Sequence, residues 1–440
     1  MKLRCREVVD IADIKPVKKE TSLSQAGEFK MPEAIVDLSH PDAFKNGPPH
    51  AGFDRDRKEN PVRWIDATPR RGMRAGDGFW SITKYKTMRE VASNPNLFSS
   101  YEGGIRMETY GQEYLEAERE TMLLMDPPDH TLMRRTVSKR FIPRIIQKLD
   151  AKVEAIARDS IKSAIKKTTF DFVEEIAAPV PLIVIAELLG VELEDRNQFR
   201  KWSDTIVHAS DPSLNVTSQD YKVAYDSLRD YGRHLYELKL KNPNDDLISA
   251  IAHSEIDGTQ MTPDQVVGFW LLLLIAGNET SRNALCGSLL AFDDHKDQQA
   301  LLISDNRLLP SAVEETLRYV SPVMHLRRTA TRDTVLAGAK IAKGDKVVFW
   351  LPSANRDPEV FKNPHSFDIS RDPNEHMAFG FGTHFCLGAH LARLEIAKVL
   401  SECFKLMPNY EILGPVERVD GNFIQGFRKL PVSAGNQISK

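Results

Sequence analysis

Apolar positions follow a helical period over much of the chain between about 120 and 320. Ala151 to Ser163 and Tyr221 to Lys239 place apolar side chains three and four residues apart, the spacing of one helix face. From Val266 to Ala276 nearly every position is apolar, so this helix has no solvent face and belongs in an interior. Thr262-Pro263-Asp264-Gln265 marks its start: Thr262 caps, Pro263 suits the first turn and Gln265 completes a capping box. The pattern runs to about Phe292, roughly 45 Å of helix. Its middle is broken by Gly277-Asn278-Glu279-Thr280-Ser281-Arg282-Asn283, and apolar residues return from Ala284 to Leu290. A glycine costs a helix about 1 kcal/mol, and a buried unpaired carboxylate costs more. Two readings stand: a face turned to solvent, or a polar island kept for chemistry. The immediate return of apolar residues favours the second. The Thr280 hydroxyl can bond back to the Ala276 carbonyl and open the helix locally, giving a cofactor or small ligand a groove to approach.

Near residue 323 the texture changes. Thr334–Ile341 and Lys346–Phe349 read as short strands, with Lys343-Gly344-Asp345 as a turn. Residues 353–385 are rich in Pro, Asn, Asp and Gly, and an irregular segment of that length in a compact protein usually carries function. Helical pattern returns over 387–405. Residues 1–60 are polar, with Pro48-Pro49 and a charged run from Asp54 to Glu59, and read as a partly irregular lead-in. The fold class expected is mainly α with a small β portion.

The net charge of -3 over 440 residues excludes a global basic field for nucleic acid. The first twenty residues lack the apolar core of a signal peptide, and the longest apolar run, Phe269–Ala276, is too short to span a bilayer. A cytoplasmic protein with no membrane span is expected. The four cysteines lie far apart with no CxxC spacing, which argues against a disulfide framework. Cys286 and Cys403 read as core residues and Cys5 as part of a mobile terminus. Cys386 stands apart, in Phe379-Gly380-Phe381-Gly382-Thr383-His384-Phe385-Cys386-Leu387-Gly388. Two glycines permit a tight turn, the helix after it favours a thiolate at its start, and Phe379 and Phe385 keep water away. A core cysteine does not explain the glycines. A zinc site with His384 lacks a second Cys/His cluster. A functional thiolate is the better reading.

The same decapeptide resembles the haem-binding loop of cytochrome P450 enzymes. Ala276-Gly277-Asn278-Glu279-Thr280 resembles their oxygen-activating segment, Glu315-Thr316-Leu317-Arg318 their E-x-x-R pair, and Asp126-Pro127-Pro128-Asp129-His130-Thr131-Leu132-Met133-Arg134 a bacterial D-P-P-x-H-x-x-x-R signature. Ser353-Ala354-Asn355-Arg356-Asp357-Pro358 also fits bacterial members. These motifs occur in the family order and cover about residues 120–430. The resemblance implies one triangular, mainly helical unit, here 61–440 after the lead-in, holding haem b (iron protoporphyrin IX). It makes Cys386 the axial ligand and places His130, Arg134, Arg328 and His384 at the propionates, with Ala276 and Phe379 also against the cofactor. Glu279 and Thr280 become the acid–alcohol pair that delivers protons to dioxygen. Glu315 and Arg318 become structural partners of an arginine in the irregular segment, Arg371, with Ser311 and Glu314 capping their helix.

The activity implied by this resemblance is that of a monooxygenase, inserting one atom of O2 into an apolar molecule, of a kind similar to bacterial members acting on steroids, terpenoids or lipids. A peroxide-using haem-thiolate enzyme and a non-catalytic haem sensor are the alternatives. About 50 residues come after Cys386, too few for a fused reductase, so electrons are expected from a separate ferredoxin and an NAD(P)H-dependent ferredoxin reductase. Arg135, Lys139, Arg140 and Arg144 fall on the surface nearest the iron; their plainer reading is scattered surface charge. By analogy with the fold, segments 98–107, 202–209, 272–276, 323–326 and 422–425 line the substrate pocket, with Leu272, Leu273, Ala276, Val323, Met324 and Phe423 facing inward. His208 and His325 are its polar exceptions, read as solvated.

Overall fold

The computed structural model describes residues 36–435 except 71, 110–111, 209–214 and 245, so Cys5 and Ala209 lie outside the described residues. The unit is mainly helical with a smaller β portion. The long apolar helix spans Pro263–Asp294, and its capping box is formed as expected: the Gln265 N–H donates to Thr262 Oγ1 at 3.2 Å, and the Thr262 N–H to Gln265 Oε1 at 2.9 Å. Two apolar clusters share it. Val266–Leu274 packs with Leu189, Phe199, Leu228 and Ile251, while Ala284–Phe292 packs with Phe170, Leu317, Ile396 and Phe404. The polar island lies between the two clusters.

A third cluster surrounds a five-stranded sheet, in spatial order Val62–Asp66, Gly78–Ile82, Lys346–Trp350, His325–Ala330 and Phe98–Ser99. Lys346–Trp350 runs parallel to Gly78–Ile82 and antiparallel to His325–Ala330. The described part of the expected lead-in is built into this cluster. It holds a 3-10 turn, Pro41–Phe44, and a helix, His50–Glu59. Phe44 stacks on buried Trp350 at 5.3 Å and Phe53 lies 5.5 Å from it. So few apolar residues in a charged stretch leave no period to read.

Elsewhere the structure corrects the sequence expectation. Thr334–Ile341 is two strands, Thr334–Leu336 and Ala339–Ile341, paired across Ala337-Gly338, both at positive φ. The strand His325–Ala330 is an addition, because His-Leu-Arg-Arg-Thr-Ala lacks apolar alternation, yet it is buried almost throughout. The helix after the cysteine begins at Ala389, two residues later than expected.

The irregular segment is held from the helix Leu309–Val320. Glu315 and Arg318 are fully buried. Arg318 donates to both Glu315 oxygens, at 2.7 and 2.8 Å, and to the carbonyls of Asn355, Pro364 and Ser366 at 2.7–2.8 Å. Glu315 also accepts from Arg371 Nε at 3.0 Å, Asn374 Nδ2 at 3.1 Å and the Asp368 N–H at 2.8 Å. Ser311 and Glu314 do not cap this helix: the Ser311 hydroxyl donates to the Leu308 carbonyl, and Glu314 accepts from Arg393 and His376.

Removing one member of a buried pair strands the other charge, at about 3–5 kcal/mol. Glu315→Ala is expected to lose that much in urea denaturation. A loss under about 1 kcal/mol, the value of a surface pair, would show that the network is dispensable.

Candidate active site

The cysteine loop is a turn closed by its own backbone. The Cys386 N–H donates to the Phe379 carbonyl at 2.9 Å, and the Gly380 N–H to that of Met377 at 2.8 Å. Gly380 and Gly382 both sit at positive φ. A side chain at Gly382 would put its Cβ 2.4 Å from the Ala92 carbonyl oxygen, so glycine is required twice over. Cys386 is part-buried, two residues before the Gly388 cap of the helix Ala389–Leu406. Burial raises its thiol pKa, while the Gly388 N–H, Arg134 and Arg393 draw it back toward the thiolate. The Phe379 ring lies 6.1 Å from that of Phe385, and Arg393 stacks over it at 4.6 Å. Arg393 is fixed by Glu314, as is His376 at 3.1 Å. Burial works against the Glu314 carboxylate, but hydrogen bonds from Arg393 and His376 outweigh it and hold its pKa at about 2.

His130 and His384 come together with ring centres 4.2 Å apart, and Arg134 and Arg328 lie close enough to act on both. Neither ring nitrogen of buried His130 has a hydrogen-bond partner. The Asp126 carboxylate opposes the fall of the pKa at His130 and Arg328 but does not reverse it. Burial and mutual repulsion push His384 down to about 2 and His130 to about 4, and burial lowers Arg328 to about 10. A cluster of donors that disfavour one another's charge fits a ligand with two carboxylates, as haem b has.

On the long helix, the positions between Trp270 and Leu289 that are not fully buried are Leu272, Ile275, Ala276, Gly277, Glu279 and Thr280. Leu272, Ile275, Ala276, Glu279 and Thr280 share one face at steps of three and four. The Thr280 hydroxyl donates to the Ala276 carbonyl at 2.6 Å, the back-bond expected from the sequence. Burial raises the Glu279 pKa, while Arg282, 3.7 Å away, and Arg106 pull it down.

The expected pocket lining divides. Leu272 and Ala276 lie on this face, and Ile275 joins them, a position that nothing distinguishes from its apolar neighbours in the sequence. Leu273 is turned into the core against Leu189, Leu247, Ile251 and Trp270. Met324 is buried beneath the sheet, although its N–H donates to the Phe423 carbonyl at 2.8 Å. Val323 pairs with Ile424, and Phe423 is part-buried. His325 is not solvated. It is fully buried, bonding the Asn422 carbonyl at 2.7 Å and accepting the Met107 N–H at 3.2 Å. The His208 side chain lies outside the described residues.

Such a cradle beside a cysteine at a helix start suits an iron porphyrin with a sulfur ligand, the haem-thiolate class. The cytochrome P450 family description matches residues 78–406. The chain is 34% identical over 418 residues to a steroid C26-monooxygenase of Rhodococcus jostii, covering 94% of this chain and 87% of that one. It is 34% identical over 411 residues to a methyl-branched lipid omega-hydroxylase of Mycobacterium bovis, covering 92% and 96%. A Mycobacterium marinum cytochrome P450 solved with pseudoionone superposes with a TM-score of 0.83 at 32% identity, covering 92% of this chain and all of that one. The chain belongs to the cytochrome P450 family, and is an oxidoreductase with haem as its cofactor.

The histidine pair gives a pH dependence. In the haem-free chain, unfolding lets His130 and His384 regain their ordinary affinity for protons. The unfolded state therefore binds more protons below about pH 6.5, and stability falls as pH drops from 6.5 towards 4. In His384→Leu the fall over that window is expected to be shallower, measured by thermal unfolding of haem-free protein. An unchanged slope would contradict this.

Proposed function

We propose that this enzyme is a monooxygenase that hydroxylates or epoxidises apolar small molecules of terpenoid, steroid or lipid type, through one catalytic domain that takes in the described part of the lead-in from Val36 onward. The carrying observation is the one partly open face of the long helix between Trp270 and Leu289, where Leu272, Ile275 and Ala276 adjoin the pair Glu279–Thr280. The three apolar residues bind by burying carbon, at about 25 cal/mol per Å2, and a substrate with roughly 300 Å2 of apolar surface gains on the order of 7 kcal/mol before ordering costs. Cys386 would hold the haem, with His130, Arg134, Arg328 and His384 at its propionates, and the bound haem would supply the activation of dioxygen. Glu279, whose burial favours the protonated form, is the proton source, and Thr280 passes the proton from helix to pocket. A sensor or a peroxide-driven enzyme has no need of such a pair inside a buried helix.

The names of the relatives support the substrate class, since they act on steroids and methyl-branched lipids. The electron donor we propose is a small acidic ferredoxin served by an NAD(P)H-dependent reductase. Arg135, Lys139, Arg140 and Arg144 are all exposed just beyond Arg134, and a cationic face of that kind steers an acidic partner. No helix among the described residues is long and apolar enough to cross a membrane.

Thr280→Ala is expected to retain haem and substrate binding but to divert reducing equivalents to hydrogen peroxide. Product formed per NAD(P)H consumed should fall several-fold, and an unchanged ratio would remove Thr280 from proton delivery. The first-electron rate with a ferredoxin should drop steeply as ionic strength rises. A flat salt profile would discard the cationic docking face.

A further inference from the structure

We propose that Glu314 and Arg393 are positioning residues for the reduction potential of the iron: Arg393 holds a positive charge against the Phe379 ring of the cysteine loop, and Glu314 sets how much of that charge the sulfur feels. This rests on the reading of Cys386 as the iron ligand made under the proposed function, and it gives a role to a carboxylate that the sequence offers only as a helix cap.

Glu314 and Arg393 stand on different helices, Leu309–Val320 and Ala389–Leu406. Their contact is a planar fork on a carboxylate: Arg393 Nε donates to Glu314 Oε1 at 2.6 Å, and Nη2 to Oε2 at 2.8 Å. Held this way, the guanidinium lies over the Phe379 ring, 4.6 Å from its centre. His376 is placed by the same carboxylate. Its Nδ1 accepts the Ala378 N–H at 3.2 Å, which leaves Nε2 to donate to Glu314 Oε2 at 3.1 Å. The His376 ring centre is 5.9 Å from that of Phe379. One carboxylate thus sets a cation and a histidine against the same ring. Phe379 in turn is bonded to the cysteine, since its carbonyl accepts the Cys386 N–H at 2.9 Å. The pair is partly shielded from water, Arg393 at 31% and Glu314 at 28% exposure, so salt and solvent screen it less than a surface pair.

A positive charge beside a sulfur-bound iron favours the state that carries one more electron, and so raises the reduction potential. A carboxylate on the same guanidinium takes part of that effect back. Loss of each partner should therefore act in opposite directions. Glu314→Gln keeps the size of the side chain and removes its negative charge. Arg393→Leu removes the positive charge and leaves the carboxylate. A pair that merely braced the loop would give the same direction of change for either loss. One partly shielded charge is expected to move the ferric–ferrous equilibrium by roughly threefold to tenfold, and tenfold is about 59 mV for one electron.

The test is a spectroelectrochemical titration of haem-loaded protein without substrate, preceded by the absorption spectrum of the reduced carbon monoxide complex. Wild type and variants should all show the red-shifted band of thiolate ligation. Against the wild type, Glu314→Gln should raise the potential and Arg393→Leu should lower it, each by roughly threefold to tenfold in the equilibrium. The double variant Glu314→Gln/Arg393→Leu should return to within about twofold of the wild type, and so should Arg393→Lys, which keeps the charge. Single-variant shifts in the same direction, or none above about twofold, overturn the tuning role while leaving Cys386 as the ligand. Loss of the red-shifted band in the variants alone makes the pair a brace for the loop and overturns the tuning role as well. A wild type without the band overturns the ligation by Cys386, and this inference with it.

Discussion

A carboxylate with no access to water holds this structure's reactive loop in place. Glu315 is fully buried, and burying an ion is costly unless its lone pairs are filled. Here they are filled by Arg318, Arg371, Asn374 and the Asp368 N–H. Arg318 directs its remaining donors to the carbonyls of Asn355, Pro364 and Ser366. A segment with almost no regular secondary structure thus acquires a fixed path from the helix beside it. That path ends at Met377, whose N–H donates to Asn355 Oδ1 at 2.6 Å, and Met377 closes the glycine turn that presents Cys386. Glu314, next to Glu315, takes Arg393 from the helix after the cysteine. Two adjacent carboxylates tie the approach to the thiol and the helix beyond it to one element.

The long helix solves a different problem. Its ends are anchored in separate apolar clusters, which leaves its middle free to carry groups that neither cluster would accept. Glycine at 277 lets Ile185 approach closely, and Thr280 bonds back to Ala276. Burial raises the pKa of the Glu279 carboxyl there, and Arg282 and Arg106 oppose the rise.

Much of this is legible in the sequence because the chemistry is local in the chain. The glycine turn, the capping box and the Thr280 back-bond each depend on residues within a few positions of one another. Contacts between distant segments are not legible. His325 looks like a solvated polar residue until the strand it belongs to, and the carbonyl of Asn422, are in place. Leu273 and Ile275 are interchangeable in a run of apolar residues, and only the packing of Trp270 and Leu247 decides which faces the core. Phe44 and Phe53 give no periodic signal, yet they cover Trp350. Arg106 reads as a loop charge until the Phe423 ring is found beneath it.

The proposed activity depends on Cys386 serving as a thiolate ligand to iron. The most direct measurement is the absorption spectrum of the reduced carbon monoxide complex, for the wild type and for Cys386→His. The wild type should show the strongly red-shifted Soret band of thiolate ligation, and the variant should lose it while still holding haem through His130, Arg134, Arg328 and His384. A red-shifted band that persists in Cys386→His would contradict the assignment.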